Sequence, residues 1–507
     1  QKTDFSIPDS MGILMTFKYD NVGLMDFQRV DELHDIGYNR TLSMMDSIKS
    51  RIHRRVNLDN IRLRRMVYRS NYPELRFKNI IIDGANTQQQ AYIKKEFHKS
   101  DNKEFSYEDL KQGYFRLLSD NMISEIIPHA IYNPEDDTYD LHLKVKLENN
   151  FAVRLGGNIS TSNSNQIYLG LSYQDLNYYA KEFVFDGQLG KVYNNAQFMA
   201  KIDFSTAIPT SYRFIASIST FDYFKKDKLF SRNDKPAFNQ KDERFLKLQV
   251  GLPFLSSKRA EFGIGIARIE DKYFQKSVID FGNDKFDKSR YDLFGGSISF
   301  NGSTLNSRQY PTRGYREALI AQIFIGRERF YPGEGATGNN NKEHHSWLQL
   351  SYMKEKYHNM SEHWVLGWYL KALYASKNFS ENYTATMMQA GEFSPTQHSK
   401  LTYNEAFRAN QFVGAGIRPI YRLNQMFHLR GEFYGFMPIY PIERNSLNKA
   451  YYGKAFSKFE YLGEISVVCQ LPFGDISAYV NHYSSPKREW NVGLSIGWQL
   501  FNYRFIE

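Results

Sequence analysis

The chain has 507 residues, with 65 Lys and Arg against 55 Asp and Glu for a formal net charge of +10, and it carries 5 Trp, 36 Tyr and 39 Phe. That aromatic load, with 33 Gly and 15 Pro, excludes a disordered or collagenous chain, and a single cysteine, Cys469, excludes an internal disulfide and a cysteine-ligated zinc. A mean hydropathy of −0.55 and a longest charge-free stretch, Leu155 to Gln174, crowded with Ser, Asn and Gln exclude a helical membrane protein. Gln1, with no initiator Met, basic n-region or apolar h-region after it, reads as the start of a processed or truncated chain.

Residues 1–72 read as helical after the apolar stretch IPDSMGILMTF. From Asp26, a plausible N-cap, the positions Phe27, Val30, Leu33, Met44, Met45, Ile48 and Ile52 fall on one face of an amphipathic helix. Seventy residues with one good helix make no self-sufficient core, so the segment reads as the end of a larger domain. Seven arginines between Arg51 and Arg69 follow, read as the solvated face of a linker helix rather than a phosphate-binding surface.

Residues 73–149 read as a β-α-α-β-β domain: RFKNIII, TQQQAYIKKEFHK, SYEDLKQGYFRLLSD, SEIIPHAIY and TYDLHLKVKLE, with a hairpin turn at Pro134, Asp136 and Asp137. From residue 150 to 507 the period is two. Phe151, Val153, Leu155 and Ile159 alternate with small or polar neighbours, and Val492, Leu494, Ile496, Trp498 and Leu500 do the same, with the alternation persisting to Phe501. Segments of ten to fifteen residues with one apolar and one polar, Gly-rich face suit a transmembrane β-barrel better than a sandwich. Sixteen segments are expected, beginning near 151, 166, 181, 196, 211, 243, 260, 291, 315, 346, 362, 411, 427, 459, 475 and 490.

This order resembles the single periplasmic transport-associated (POTRA) domain and 16-stranded barrel of the outer-membrane assembly-factor superfamily, also called bacterial surface antigens. The string TLNSRQYPTRGYREA, with Pro311, Thr312, Arg313 and Gly314, is similar to that family's Asp-rich segment ending in Pro-Thr-x-Gly between two mid-barrel strands, with Asn306 where an Asp is common. The family also folds a loop into the lumen between strands eleven and twelve, tipped by an arginine. Residues 376–410 are the corresponding insert, and NEAFRANQF offers Arg408, followed by Ala409 where the family has Gly. The resemblance implies that Arg408 pairs with Glu432 of FHLRGEFYGF on the thirteenth strand.

Residues SIPDSMGILMTFKYDNVGLMDFQRVDELHDIGYNRT resemble the last strand and helix of a patatin-like phospholipase domain. Together the zones resemble a patatin-POTRA-barrel fusion: mainly β, with the C-terminal remnant of an α/β patatin domain. The resemblance implies a Gram-negative outer membrane with the POTRA domain in the periplasm. The barrel is expected to anchor or translocate an N-terminal Ser-Asp lipid acyl hydrolase. The alternative is an assembly or translocation factor without enzymatic activity; a passive porin fits less well, because it needs neither POTRA domain nor inserted loop. The expected partners are outer-membrane lipids, the chain's own patatin domain and other outer-membrane or periplasmic proteins.

No catalytic residue, cofactor or metal is expected within this chain. Gly493-Leu494-Ser495-Ile496-Gly497 and Asp83-Gly84-Ala85 match the two catalytic strings of a patatin, but Ser495 sits mid-strand with no helix after it, Asp83 sits in a strand-to-helix turn, and their order is reversed. His344, His345, His358 and His363 lack a metal-binding spacing. Cys469 shares a face with Ile465 and Val467 and reads as lipid-facing or packed. With no recognition module, the positive charge does not point to nucleic acid.

Overall fold

The computed structural model describes residues 7–8, 12–15, 17, 30–52, 57–70, 74–97, 104–135, 137–162, 164–204, 208–224, 238–255, 258–275, 285–334, 340–485 and 490–507. They divide into two compact units, Gln1–Leu75 with Asn133–Thr138, and Arg76–Tyr132 with Tyr139–Glu507. The first unit holds helices α1 (Val30–Ser43), α2 (Met45–Arg51) and α3 (Leu58–Ser70), none of which buries a residue. The cap expected at Asp26 lies outside the described residues. In the arginine-bearing α3 the side chains of Leu63, Met66 and Val67 are exposed as well.

The second unit opens with a four-stranded sheet of order β2-β1-β4-β3, built from β1 (Arg76–Asp83), β2 (Phe105–Ser106), β3 (Ile123–Asn133) and β4 (Thr138–Leu147). Strand β1 runs parallel to β4, so its return must cross over, and helices α4 (Thr87–Phe97) and α5 (Tyr107–Leu118) lie in the crossover. Alternation buries Phe77, Ile80 and Ile82 from β1 and Leu141, Leu143 and Val145 from β4. Tyr92, Ile93 and Phe97 close the core at helical spacing. A Cβ at Gly113 of α5 would lie 2.6 Å from the Phe97 ring, so only glycine lets the two helices approach this closely. Ser106 and Asp109 form a reciprocal capping box that starts α5. The same core continues into Leu176 and Ala180, at the first turn pair of the sheet that follows.

That sheet closes on itself as sixteen strands: β5 (Phe151–Ser160), β6 (Gln166–Leu176), β7 (Ala180–Gly190), β8 (Tyr193–Phe204), β9 (Thr210–Phe224), β10 (Phe238–Phe254), β11 (Lys258–Tyr273), β12 (Asp287–Ser303), β13 (Gly314–Tyr331), β14 (Asn341–Asn359), β15 (Trp364–Ala375), β16 (Gln411–Arg422), β17 (Phe427–Pro438), β18 (Glu460–Leu471), β19 (Gly474–Tyr483) and β20 (Trp490–Gly497). The count and the strand starts follow the sequence pattern to within a few residues. Polarity is inverted relative to a water-soluble core. On β10, Leu246 and Leu248 are 45% and 54% exposed while Lys247 and Gln249 between and after them are 4% and 8% exposed. Outward apolar, inward polar alternation fits strands crossing hydrocarbon around a hydrated interior.

The last strand departs from expectation. The alternation was expected to hold the strand to Phe501, but β20 ends at Gly497. Gly497 has φ +112°, and a Cβ there would stand 2.1 Å from the Gly157 carbonyl oxygen. The chain leaves the sheet at this glycine, and residues 498–507 run across the lumenal wall.

Candidate functional site: the lumen and the seam of the barrel

Three segments meet inside the barrel. The first is the turn between β12 and β13 that carries Pro311, Thr312, Arg313 and Gly314. Asn306 accepts from the backbone N–H of Thr312 and of Arg313, both at 3.0 Å, and its amide donates to the Thr312 hydroxyl at 3.1 Å. An amide oxygen thus does the accepting that a carboxylate would do, with a donor in addition. Gly314 has φ +94°, and a Cβ there would lie 2.1 Å from the Thr304 carbonyl oxygen. Tyr310, Pro311 and Thr312 are buried, and the Tyr310 hydroxyl donates to Ser477 of β19 at 3.0 Å.

The second segment is the insert 376–410, whose short helix α6 (Tyr383–Gln389) is fully packed in the interior from Thr384 to Met388. Asn382 caps it by accepting from the Ala385 N–H at 2.9 Å, and donates to the Tyr273 hydroxyl at 2.7 Å. Gln389 donates to Asp271 at 2.6 Å. Arg408 donates to Glu392 at 2.8 Å and to the carbonyl oxygens of Met387, Met388 and Ala390 at 3.2–3.4 Å. The expected pairing of Arg408 with Glu432 is therefore corrected: Arg408 pins the insert to itself. Its strand neighbour Ala409 pairs with Gly391, which turns the guanidinium toward the C-terminal end of α6.

The third segment is the wall itself. Glu432 of β17 bonds Arg430, two residues away on the same face, and accepts from the Tyr434 hydroxyl at 3.0 Å. Arg418 of β16 lies 3.8 Å from it and bonds Glu355 and Tyr357 of β14. The two arginines also reach the two inserted segments, Arg430 through the Pro311 carbonyl at 2.8 Å and Arg418 through the Pro395 carbonyl at 3.2 Å. Two arginines and two glutamates, all buried, balance in charge, and a buried charge persists only when it is paired in this way. The hub thus joins β14, β16, β17, the Pro-Thr turn and the insert. Alternation along His428, Arg430, Glu432 and Tyr434 already places these side chains on one face, and that signal was available in the sequence.

The structure also places the remaining sequence candidates. The Ser495 hydroxyl donates to Asn158 at 2.6 Å across the junction of first and last strands. Asp83 ends β1 opposite Lys144, and Gly84 after it has φ +89°. His345 is buried and 2.9 Å from Glu328, and with Glu343 the three place ligand-capable atoms within 4.8 Å of one another. Cys469 shares the outward parity of Ile465 and Val467 on β18.

Among the described residues the seam between β20 and β5 has the fewest register pairs in the wall. Three pairs join the strands, Ser495↔Ser160, Ile496↔Ile159 and Gly497↔Asn158, and Thr161 adds a bond from its N–H to the Leu494 carbonyl at 3.0 Å and one from the Leu494 N–H to its hydroxyl at 2.9 Å. After Gly497 the strand ends, and the Trp498 N–H reaches back to the Gly157 carbonyl at 2.7 Å. Among the described residues the β5 edge over 151–156 faces no strand on that side, while its other edge pairs with β6.

No protein-family model matches this chain, and no curated protein matches it. Solved structures do. BamA from Haemophilus ducreyi lacking POTRA domains 1–3 is similar over 83% of this chain and 84% of its own, with a TM-score of 0.57 at 12% identity. CdiB from Acinetobacter baumannii is similar over 84% of this chain and 74% of its own, with a TM-score of 0.47 at 9% identity. At 12% identity the likeness to BamA is one of fold, that of a closed 16-stranded barrel.

Proposed function

We propose that this chain is an outer-membrane barrel that assembles or translocates polypeptides, with residues 73–149 as a POTRA domain in the periplasm. The observation that carries the reading is the seam. Unpaired N–H and C=O groups along residues 151–156 are a template for an incoming strand, and three register pairs are little to open, at about 0.5–1.5 kcal/mol net per hydrogen bond. BamA supplies the fold-level parallel. The Arg-Glu hub and the insert tie β14, β16 and β17 together, three or more strands from the seam.

The test is a lock. With Cys469→Ser removing the native thiol, Ile159→Cys and Ile496→Cys place a cysteine pair across a register position. In proteoliposomes, the chain should speed the folding of an added unfolded outer-membrane barrel, read by its heat-modifiable mobility. Oxidation should abolish that and reductant restore it. Equal folding with the seam locked would remove the proposal.

A second reading has its own support. Helices α1–α3 expose Val30, Ile36, Leu42, Leu58 and Leu63, which fits the end of a larger patatin-like domain that the barrel anchors or exports. A peptide map of the protein from its native membrane decides it, since upstream peptides with a Gly-x-Ser-x-Gly serine are required. Under this reading, loss of the chain leaves other outer-membrane proteins at normal levels.

A further inference from the structure

Residues 498–507 are held in a way that ordinary packing does not require. The Gln166 side chain reads both backbone groups of Leu500, accepting from its N–H at 3.1 Å and donating to its C=O at 3.0 Å. Gln322 repeats this further along, donating to the Phe505 C=O at 3.1 Å and accepting from the Glu507 N–H at 3.0 Å. Glu243 accepts from the Phe505 N–H at 2.7 Å, Gln309 from the Gln499 N–H at 3.0 Å, and Gln349 donates to the Glu507 C=O at 2.6 Å. These side chains come from β6, β10, β13, β14 and the Pro-Thr turn. A side-chain amide presents a donor group and an acceptor group, the same pair a neighbouring strand offers, so at these positions the wall reads the segment's backbone as a strand would. Side-chain contacts are added at Asn502, which bonds Gln188 and Asn195 at 3.1 and 2.6 Å, and at Phe501 against Tyr193.

One side chain has an apolar pocket of its own. Phe505 enters a pocket with Phe245 and Phe324, ring centroids 5.9 and 5.7 Å away, and with Ile215 and Trp347 in the same buried cluster. Its floor is two glycines: a Cβ at Gly265 or Gly295 would stand 2.9 or 3.0 Å from the Phe505 ring. Alanine at either position would fill the space the ring occupies.

We propose that this amide-lined belt is a binding site for an extended polypeptide bearing an aromatic residue, and that residues 498–507 are its resident occupant, displaced when a client chain enters the lumen. The inference rests on the assembly or translocation reading, which supplies the client. It also gives the resident segment a second role: lying across the wall below the insert, with Arg504 3.9 Å from Glu392, it obstructs the lumen until displaced.

The experiment uses the full chain in planar lipid bilayers and a synthetic peptide spelling residues 498–507. Phe505→Ala, or Gln166→Ala with Gln322→Ala should the first fail to fold, is expected to raise conductance several-fold. The peptide should lower it again. The same peptide N-methylated at the Leu500 and Phe505 nitrogens should not, because both N–H groups are read; a peptide with every residue but that phenylalanine changed to alanine should. Gly295→Ala should raise conductance and also abolish the peptide's effect. Equal blocking by the N-methylated peptide, or unchanged conductance in both tail-releasing variants, overturns the proposal. Client folding is scored separately: peptide block without folding activity leaves the belt and removes the assembly reading, and folding without peptide block does the reverse.

Discussion

The β13–β14 wall and the β20–β5 seam are made of the same kind of strand and differ in how they are closed. The first pair is in register without a break from Gly314↔Tyr357 to Phe330↔Asn341; the second is joined at three positions and then abandoned at a glycine. The Arg418-Arg430-Glu432-Glu355 hub lies on β14, β16 and β17, on the welded side, and the side chains that cross the seam are neutral: Ser160, Ser495 and Asn158. Under the proposed reading, in which the barrel opens at the seam, the charged clamps lie on strands away from it.

The largest test of that contrast is to break the weld. Arg430→Ala leaves Glu432 buried beside a single distant arginine, and the loss is expected to be about 3–5 kcal/mol, seen as a fall in the temperature at which the folded band disappears in heat-modifiability gels. Arg430→Ala and Glu432→Ala combined should cost far less than their sum, whereas Arg408→Ala and Glu432→Ala should add, since they belong to different clusters. Additivity in the first pair would break the comparison.

A smaller effect is expected on the weak side. Gly497→Val forces a β-branched residue into φ +112°, for which about 1–3 kcal/mol is typical, and should loosen the seam while the unfolding temperature falls less than for Arg430→Ala. Hydrogen exchange should rise in β5 and β20 and stay unchanged in β13 and β14.

The smallest test lies off the barrel. Ser106 donates to Asp109 through its backbone N–H and its hydroxyl, at 3.0 and 2.7 Å, and these bonds hold the Asp109 carboxyl below its usual pKa. A folded pKa depressed below the unfolded one gives stability that is present above about pH 4 and is lost as pH falls through the folded value. Melting of the small domain should therefore weaken below about pH 4, and Asp109→Asn should flatten that dependence while leaving the barrel's own transition in place.

Much of this was legible in the chain. Period-two alternation is a local signal, so sixteen strands could be read from residues such as Val492, Leu494 and Ile496 with no knowledge of their neighbours. Between residues 76 and 147 the longer strands and the two helices follow their own periodicities, while β2 (Phe105–Ser106) is too short to carry one and departs from the β-α-α-β-β order. The end of β20 was not, because Trp498 and Leu500 continue the alternation and only the backbone at Gly497 reveals the departure. The Arg408–Glu432 pair failed for a different reason: partner choice among buried charges depends on which segments converge in three dimensions. Arg430 was two residues from Glu432 on the same face, and the spacing alone favoured it.

The core shared between the small domain and the barrel has a mechanical consequence. Leu176 and Ala180, at the end of β6 and the start of β7, are packed with Phe77, Ile93 and Leu141 in one cluster, and the Gln174 N–H holds the Asn150 carbonyl at 2.7 Å just before β5 begins. The small domain is not a bead on a string but a handle, packed against the turn between β6 and β7, the second hairpin of the barrel. Torque applied to it is delivered to β6 and β7 and, through the β5–β6 pairing, to the strand at the seam.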